Sequence, residues 1–423
     1  MNNSTYQNFI NILKEELVPA MGCTEPIAIA YCAAKARDTL GSFPDEITIT
    51  VSGNIIKNVK SVKVPHTGGR VGIDVACAIG TLAGDSTKQL EVISNVTNEE
   101  IEKLEDFMNK TKIDICASHN FHTLYIDIMM KKDNHTSRVV IQDGHTNIAL
   151  IEKDGQELYR NDEPLKRVKS SLDKSELSIK NIIDFADHVD TSLLKDTLVR
   201  QINYNMQIAK EGLEHDYGAN IGKTILRYTK GDIFQYCKAL AASASDARMN
   251  GCDMPVVINS GSGNQGITCS VPVVTYAREE GKTEEELYRA LIVSNLCTIH
   301  IKDRIGKLSA FCGVVIAGAG CGAGICYLEG GKEEAVSQTI TNTLAIISGT
   351  VCDGAKSSCA AKISASVEAG FLGYYMYRDG NKFFGGDGII KKDVENTIEA
   401  VGKLARDGMC ETDKEIIHIM IDK

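Results

Sequence analysis

In TEPIAIAYCAAKARDTLGSFPDEITITVSG, residues 24–53, the hydrophobic period switches from helical to strand-like within one stretch. Thr24 offers an N-cap, Glu25 suits the positive end of the dipole and Pro26 is tolerated in a first turn, so a helix is expected to about Arg37. From Asp45 apolar and polar residues alternate, as in a half-buried strand. On the N-terminal side, Phe9, Ile10, Leu13 and Leu17 predict an amphipathic helix ended by Pro19. On the C-terminal side, VKSVKVP, KQLEVISNV, TLYIDIMMKK, SRVVIQDG and NIALIEKDG continue the strand reading, punctuated by Gly, Asn and Asp turns. Helical stretches interrupt them at 71–84 and 98–110, and a charged connector follows at 155–180. Beyond residue 180 the segments carry apolar stripes at i, i+3/i+4. The predicted class is α+β. A largely helical domain is built from residues 1–44 and 181–423, with a small α+β module and its connector inserted at 45–180.

The chain has 423 residues, and 46 Lys+Arg against 56 Asp+Glu give a net charge of −10, which argues against a nucleic-acid-binding surface. Its start, MNNSTYQNFINILKEELVPAMG, lacks the basic and apolar regions of a secretory signal. The 14 cysteines are therefore expected to be reduced in a cytoplasm, most of them as small core hydrophobes. The run from Leu308 to Leu328 carries no charge, but it is rich in glycine and has no aromatic belt. It reads as a buried helix that lets another backbone or a cofactor come close, and not as a membrane span. The expected partner is a small molecule; the apolar content is also compatible with a homodimer.

GSGNQG at 261–266 fits G-x-G-x-x-G and follows the strand-like PVVIN. A dinucleotide site needs a helix to open there, and ITCSVPVV, β-branched and holding Pro272, is a poor helix start. Two readings stay open: a tight turn, or a nest of backbone N–H groups for a carboxylate. No C-x-x-C occurs, which removes the common zinc, thioredoxin-type and ferredoxin-type patterns. Cys297, Cys312, Cys321, Cys326, Cys352 and Cys359 instead crowd the C-terminal half. Cys23 is expected at a helix N-terminus, where the dipole favours thiolate.

Four motifs carry a resemblance: PAMGCTEPIAIA around Cys23, SGSGNQGIT at 260–268, IKDRIGKLSAFCG leading to Cys312, and GTVCDGAKSSC holding Cys352 and Cys359. Together the chain resembles the L-cysteine desulfidase family, which is similar in its C-terminal part to the α region of iron–sulfur L-serine dehydratases. The resemblance implies β-elimination of L-cysteine to pyruvate, ammonia and hydrogen sulfide, without pyridoxal phosphate. It also implies a [4Fe–4S] cluster held by Cys23, Cys312 and Cys352, with Cys359 as the alternative third ligand. Three thiolates leave one iron open for Lewis-acid chemistry. An amino-acid substrate needs carboxylate donors, for which Gly263, Asn264, Gln265 and Gly266 are candidates, and a base at its α-carbon. His66, His300, Lys302 and Lys356 are weighed as the base. Lys302 and Lys356 are preferred, because desolvation in apolar surroundings lowers a lysine pKa. L-serine as the substrate, and a cluster-binding protein without turnover, are the competing readings.

Overall fold

The computed structural model describes residues 3–118, 122, 124–161, 173–229, 231–306 and 309–421. Helix α1 (Asn3–Glu16) and the short strand β1 (Pro19–Met21) precede α2 (Thr24–Leu40). The N-cap of α2 is Cys23, not Thr24 as expected: Cys23 is extended (φ −81°, ψ 133°) and Thr24 is already helical. Pro26 falls in the first turn, where an N–H has no intrahelical acceptor to lose. Gly41, at φ 85°, ends the helix by donating its N–H to Arg37 O.

The sheet comprises β2 (Glu46–Val51), then β3 (Lys112–Ala117), β4 (Tyr125–Lys132), β5 (His135–Gln142), β6 (Ile148–Lys153) and β7 (Gln156–Arg160), in the order β3-β2-β4-β5-β6-β7. Only β2 and β3 are parallel. The crossover they need is supplied by α3 (Gly53–Val59), α4 (Ile73–Ala83) and α5 (Asn98–Lys110). Ile47, Ile49 and Val51 of β2 point into a core shared with α2 and α4. Two expected strands are corrected. Val59, Val62 and Val64 are buried, but that stretch is the end of α3 and a loop with one isolated bridge, Lys63 to Val71. Residues 88–96 hold part of a 3-10 turn (Ser86–Glu91) and a loop. Conversely β3 and β7, the two edge strands, are largely exposed and are not among the expected strands. Residues 162–172 of the expected connector lie outside the described residues.

The helical part holds α6 (Ile179–His188), α7 (Lys195–Glu214), α8 (Ile221–Tyr228), α9 (Ile233–Met249), β8 (Pro255–Val257), α10 (Gly263–Glu279), α11 (Glu284–Ile305), α12 (Gly313–Leu328), α13 (Glu333–Ile347), α14 (Cys359–Arg378), α15 (Val394–Lys403) and α16 (Cys410–Ile421). β8 pairs antiparallel with β1, and α1 buries Phe9, Ile10 and Leu13 in the same core as α10–α14. By contrast α2 lies in the core of the sheet. Most of the apolar run ending at Leu328 forms the buried α12. A Cβ on Gly318 would stand 2.4 Å from Ser366 O and one on Gly322 2.7 Å from Gly370 O, so α12 and α14 touch backbone to backbone. Among the described residues no helix is long and apolar enough to cross a membrane. The class is α+β and largely helical.

Candidate active site

A cavity of about 440 Å³ opens between the two cores, and Cys23, Cys312, Cys352 and Cys359 all line it. Local structure explains each position. The segments around Phe311 and Val351 form an antiparallel bridge, in which Cys312 N donates to Thr350 O (3.0 Å) and Cys352 N to Ala310 O (2.6 Å). The two cysteines are thus set side by side, and their sulfurs share a hydrogen bond. Cys359 opens α14, and Cys23 opens α2. These two pack in one small cluster with Val62, Met249 and Ala355.

The four thiols differ in charge state. The hydrogen bond from Cys312, helped by the Lys57 ammonium and the Gly354 N–H, holds Cys352 down at about 6 in spite of burial. The same hydrogen bond, with burial, pushes Cys312 up. Burial also raises Cys359. Cys23 departs from expectation: burial and the neighbouring Glu25 carboxylate push its thiol well up, outweighing the dipole, and Sγ donates to Glu25 Oε2 at 3.0 Å. Burial works to raise Glu25 as well. The charge of His145, whose Nε2 stands 3.9 Å from Oε1, and the Cys23 thiol hold it at about 2. Asn58 donates to the same Oε1 at 3.0 Å.

Lys302, one turn from the end of α11, lines the cavity beside the cysteines. Burial brings its ammonium down to about 8, against the pull of Cys352, Cys312 and Glu25. The glycine loop is corrected. A helix does open there: Ser262 is the N-cap of α10, its Oγ accepting from Gln265 N at 3.4 Å. Every residue from Gly263 to Ala277 is buried, and that packing overrides Pro272, whose interior cost is about 3 kcal/mol. The site is still not a dinucleotide fold, because β8 belongs to a two-stranded antiparallel sheet. Asn264 and Gln265 line the cavity; Gly263 and Gly266 do not. Gly266 instead lets α10 sit on β8, where a Cβ would meet Val257 O at 2.1 Å.

His66 and Lys356 are not brought to the cavity wall. His66 (φ 52°) donates its backbone N–H to Asp253 Oδ1 at 2.8 Å, and Lys356 pairs with Asp353 at 2.5 Å. His300 stands 2.7 Å from Glu395, also off the wall. Sequence reasoning missed Lys57, His145 and Arg248, which line the cavity. His145 lies in the DGHTN turn, read only as a turn, and Lys57 sits where a strand was expected to follow. Nothing in SASASDARM marks Arg248 as special. Among the described residues no three His, Cys, Asp or Glu side chains are grouped to hold a single metal ion.

Residues 87–418 match the family described as serine dehydratase alpha chain. That span takes in Cys312, Cys352, Cys359, Lys302 and the start of α10, and leaves out Cys23. The chain is 52% identical over 418 residues to a UPF0597 protein of Desulfitobacterium hafniense (strain Y51), covering 99% of this chain and 97% of the relative. It is 49% identical to one from Lachnoclostridium phytofermentans, over 99% of this chain and 100% of the relative. A third, from Treponema denticola, is 45% identical over 100% and 99%. Those names state no activity.

Proposed function

Because this chain belongs to the serine dehydratase alpha-chain family, we propose that it is a lyase that β-eliminates L-cysteine without pyridoxal phosphate. In the overall reaction L-cysteine and water give pyruvate, ammonia and hydrogen sulfide. The observation that carries the reading is the convergence of Cys23, Cys312, Cys352 and Cys359, from chain positions far apart, with Lys302 on one cavity. The donor set fits an iron–sulfur cluster. Soft thiols are its usual ligands, Cys352 already favours thiolate, and backbone N–H groups of Val314 and Gly354 reach the Cys312 and Cys352 sulfurs. Cys312, Cys352 and either Cys23 or Cys359 would hold a [4Fe–4S] cluster. When bound, the cluster supplies a Lewis-acidic iron for the departing sulfide.

The protein's own groups do the rest. Lys302, its ammonium lowered by burial, takes the α-proton from the substrate. The Asn264 and Gln265 amides, with the positive end of α10, hold the substrate carboxylate. The apolar walls Ile258, Ile299, Phe311 and Val314 keep bulk water from the carbanion-like transition state.

A second reading, L-serine as the substrate, is favoured by the family's description. A hydroxyl would then leave in place of the thiol, with the same residues in the same roles. The test is an anaerobic assay of pyruvate from both amino acids, with sulfide measured in parallel. Faster pyruvate from L-cysteine with equimolar sulfide supports the first reading. Pyruvate from L-serine alone supports the second, and pyruvate from neither removes both.

A further inference from the structure

We propose that Arg248 is the anchor for the substrate's carboxylate, and that it makes the cavity select carboxylates over amines of the same size. This deepens, and rests on, the reading of the cavity as an amino-acid lyase site. Arg248 stands near the C-terminal end of α9, is 3% exposed and lines the cavity. Its Nη1 donates to Asn264 Oδ1 at 3.1 Å and lies 4.0 Å from the Met249 sulfur, while its Nε is buried with no acceptor. Among the described residues no carboxylate stands within ion-pair distance of the guanidinium.

Two other buried cations are each paired with a carboxylate. Lys57 (2% exposed) pairs with Asp413 at 2.5 Å, and Lys238 (7% exposed) pairs with Glu368 at 2.6 Å. A guanidinium removed from water without a counter-ion is costly, and the structure around it makes the site more positive still. A Cβ on Gly263 would stand 2.3 Å from Arg248 Nε, so the guanidinium lies against the first residue of α10. Glycine there lets the cation and the positive helix end share one wall. The missing complement is an anion, and the planar fork of donors matches a carboxylate. Arg248 also lies close enough to Cys23 for its charge to act on that thiol. A carboxylate at α10 therefore leaves the substrate's β-substituent within the cavity that the cysteines line.

The probes are 3-mercaptopropionate, which keeps the carboxylate and thiol, and cysteamine, which keeps the amine and thiol, titrated calorimetrically into anaerobically prepared protein. The wild type is expected to bind 3-mercaptopropionate at least ~10-fold more tightly than cysteamine. Arg248→Gln is expected to lose that preference, and Arg248→Lys to keep part of it. Asn264→Asp guards against a variant that simply misfolds. It sets a carboxylate against the guanidinium in place, so it should raise the Tm and abolish 3-mercaptopropionate binding. Wild-type affinity for 3-mercaptopropionate in Arg248→Gln, or a wild type that favours cysteamine, overturns the assignment. Neither titration requires turnover: if Arg248 proves to hold the carboxylate and no pyruvate or sulfide is released, the anchor stands and the lyase reading falls.

Discussion

At Cys352 a neighbouring thiol, an ammonium and a backbone N–H all act to favour the thiolate inside the protein. Cys312 and Cys352 are interdependent, since each sets the protonation of the other. Replacing either with Ala is expected to abolish bound iron and activity together, as measured by iron content and pyruvate release. Cys23→Ala and Cys359→Ala are expected to differ: the variant that loses iron identifies the third ligand, and the other should keep most of it. Lys302→Gln should leave iron content intact while lowering kcat by about 10²-fold or more, the usual worth of a positioned base. The four cavity cysteines are singled out by the resemblance of the motifs that hold them, since their spacing and context alone suit core residues equally well. Lys302 was legible from its apolar neighbours. Arg248 and Glu25 were not, because their significance lies in what surrounds them after folding: one buried cation without a carboxylate, one carboxylate beside a thiol. Lys356 sits in apparently similar sequence, yet a neighbouring Asp353 claims it.

Among the elements, α10 shows most clearly where local propensity gives way. A β-branched run with Pro272 argues against a helix, and complete burial makes one. The strands read at 59–65 and 88–96 fail for the opposite reason. Their valines and isoleucines are apolar because they pack, and no neighbouring strand is there to pair with them. The close contact of α12 with α14 predicts its own test: Gly322→Leu should lower the Tm, with about 1–3 kcal/mol lost to overpacking, as read by thermal unfolding. A pH effect belongs to α8 and α9. The side chain of Asn220, the N-cap of α8, accepts from Tyr217 N and makes no cap bond to the helix, and Asp246 of α9 instead accepts from Gly222 N at 3.2 Å. Burial raises Asp246 to about 6, against those backbone donors. The folded state therefore binds this proton more tightly than the unfolded chain, where an Asp titrates near ~3.9. Its contribution to stability is full below about pH 4 and is lost as pH rises through about 6. The Tm of Asp246→Asn relative to the wild type should thus climb between pH 4 and pH 6, and scans across that range check it.

Over the whole molecule, the cavity joins two cores that the chain builds out of order. Cys23 comes from the helix that packs on the sheet, while Cys312, Cys352 and Cys359 come from the helical body. Sequence periodicity conveyed an α+β, largely helical class, since strand and helix periods are local patterns. It did not convey that α2 crosses to the sheet, since an Ala-rich helix buried on nearly every side shows no preferred face. With Cys23 as its third ligand a cluster bound here would tie the two bodies together, so its removal by chelation should lower the Tm by several degrees as well as stop turnover.

The central claim is that these cysteines hold a cluster. Iron and acid-labile sulfide, measured after anaerobic reconstitution of the wild type and of Cys312→Ala, test it most directly. About four irons and four sulfides per chain in the wild type, absent from Cys312→Ala, is the expected result. Equal iron in the two proteins, or none in either, would contradict it.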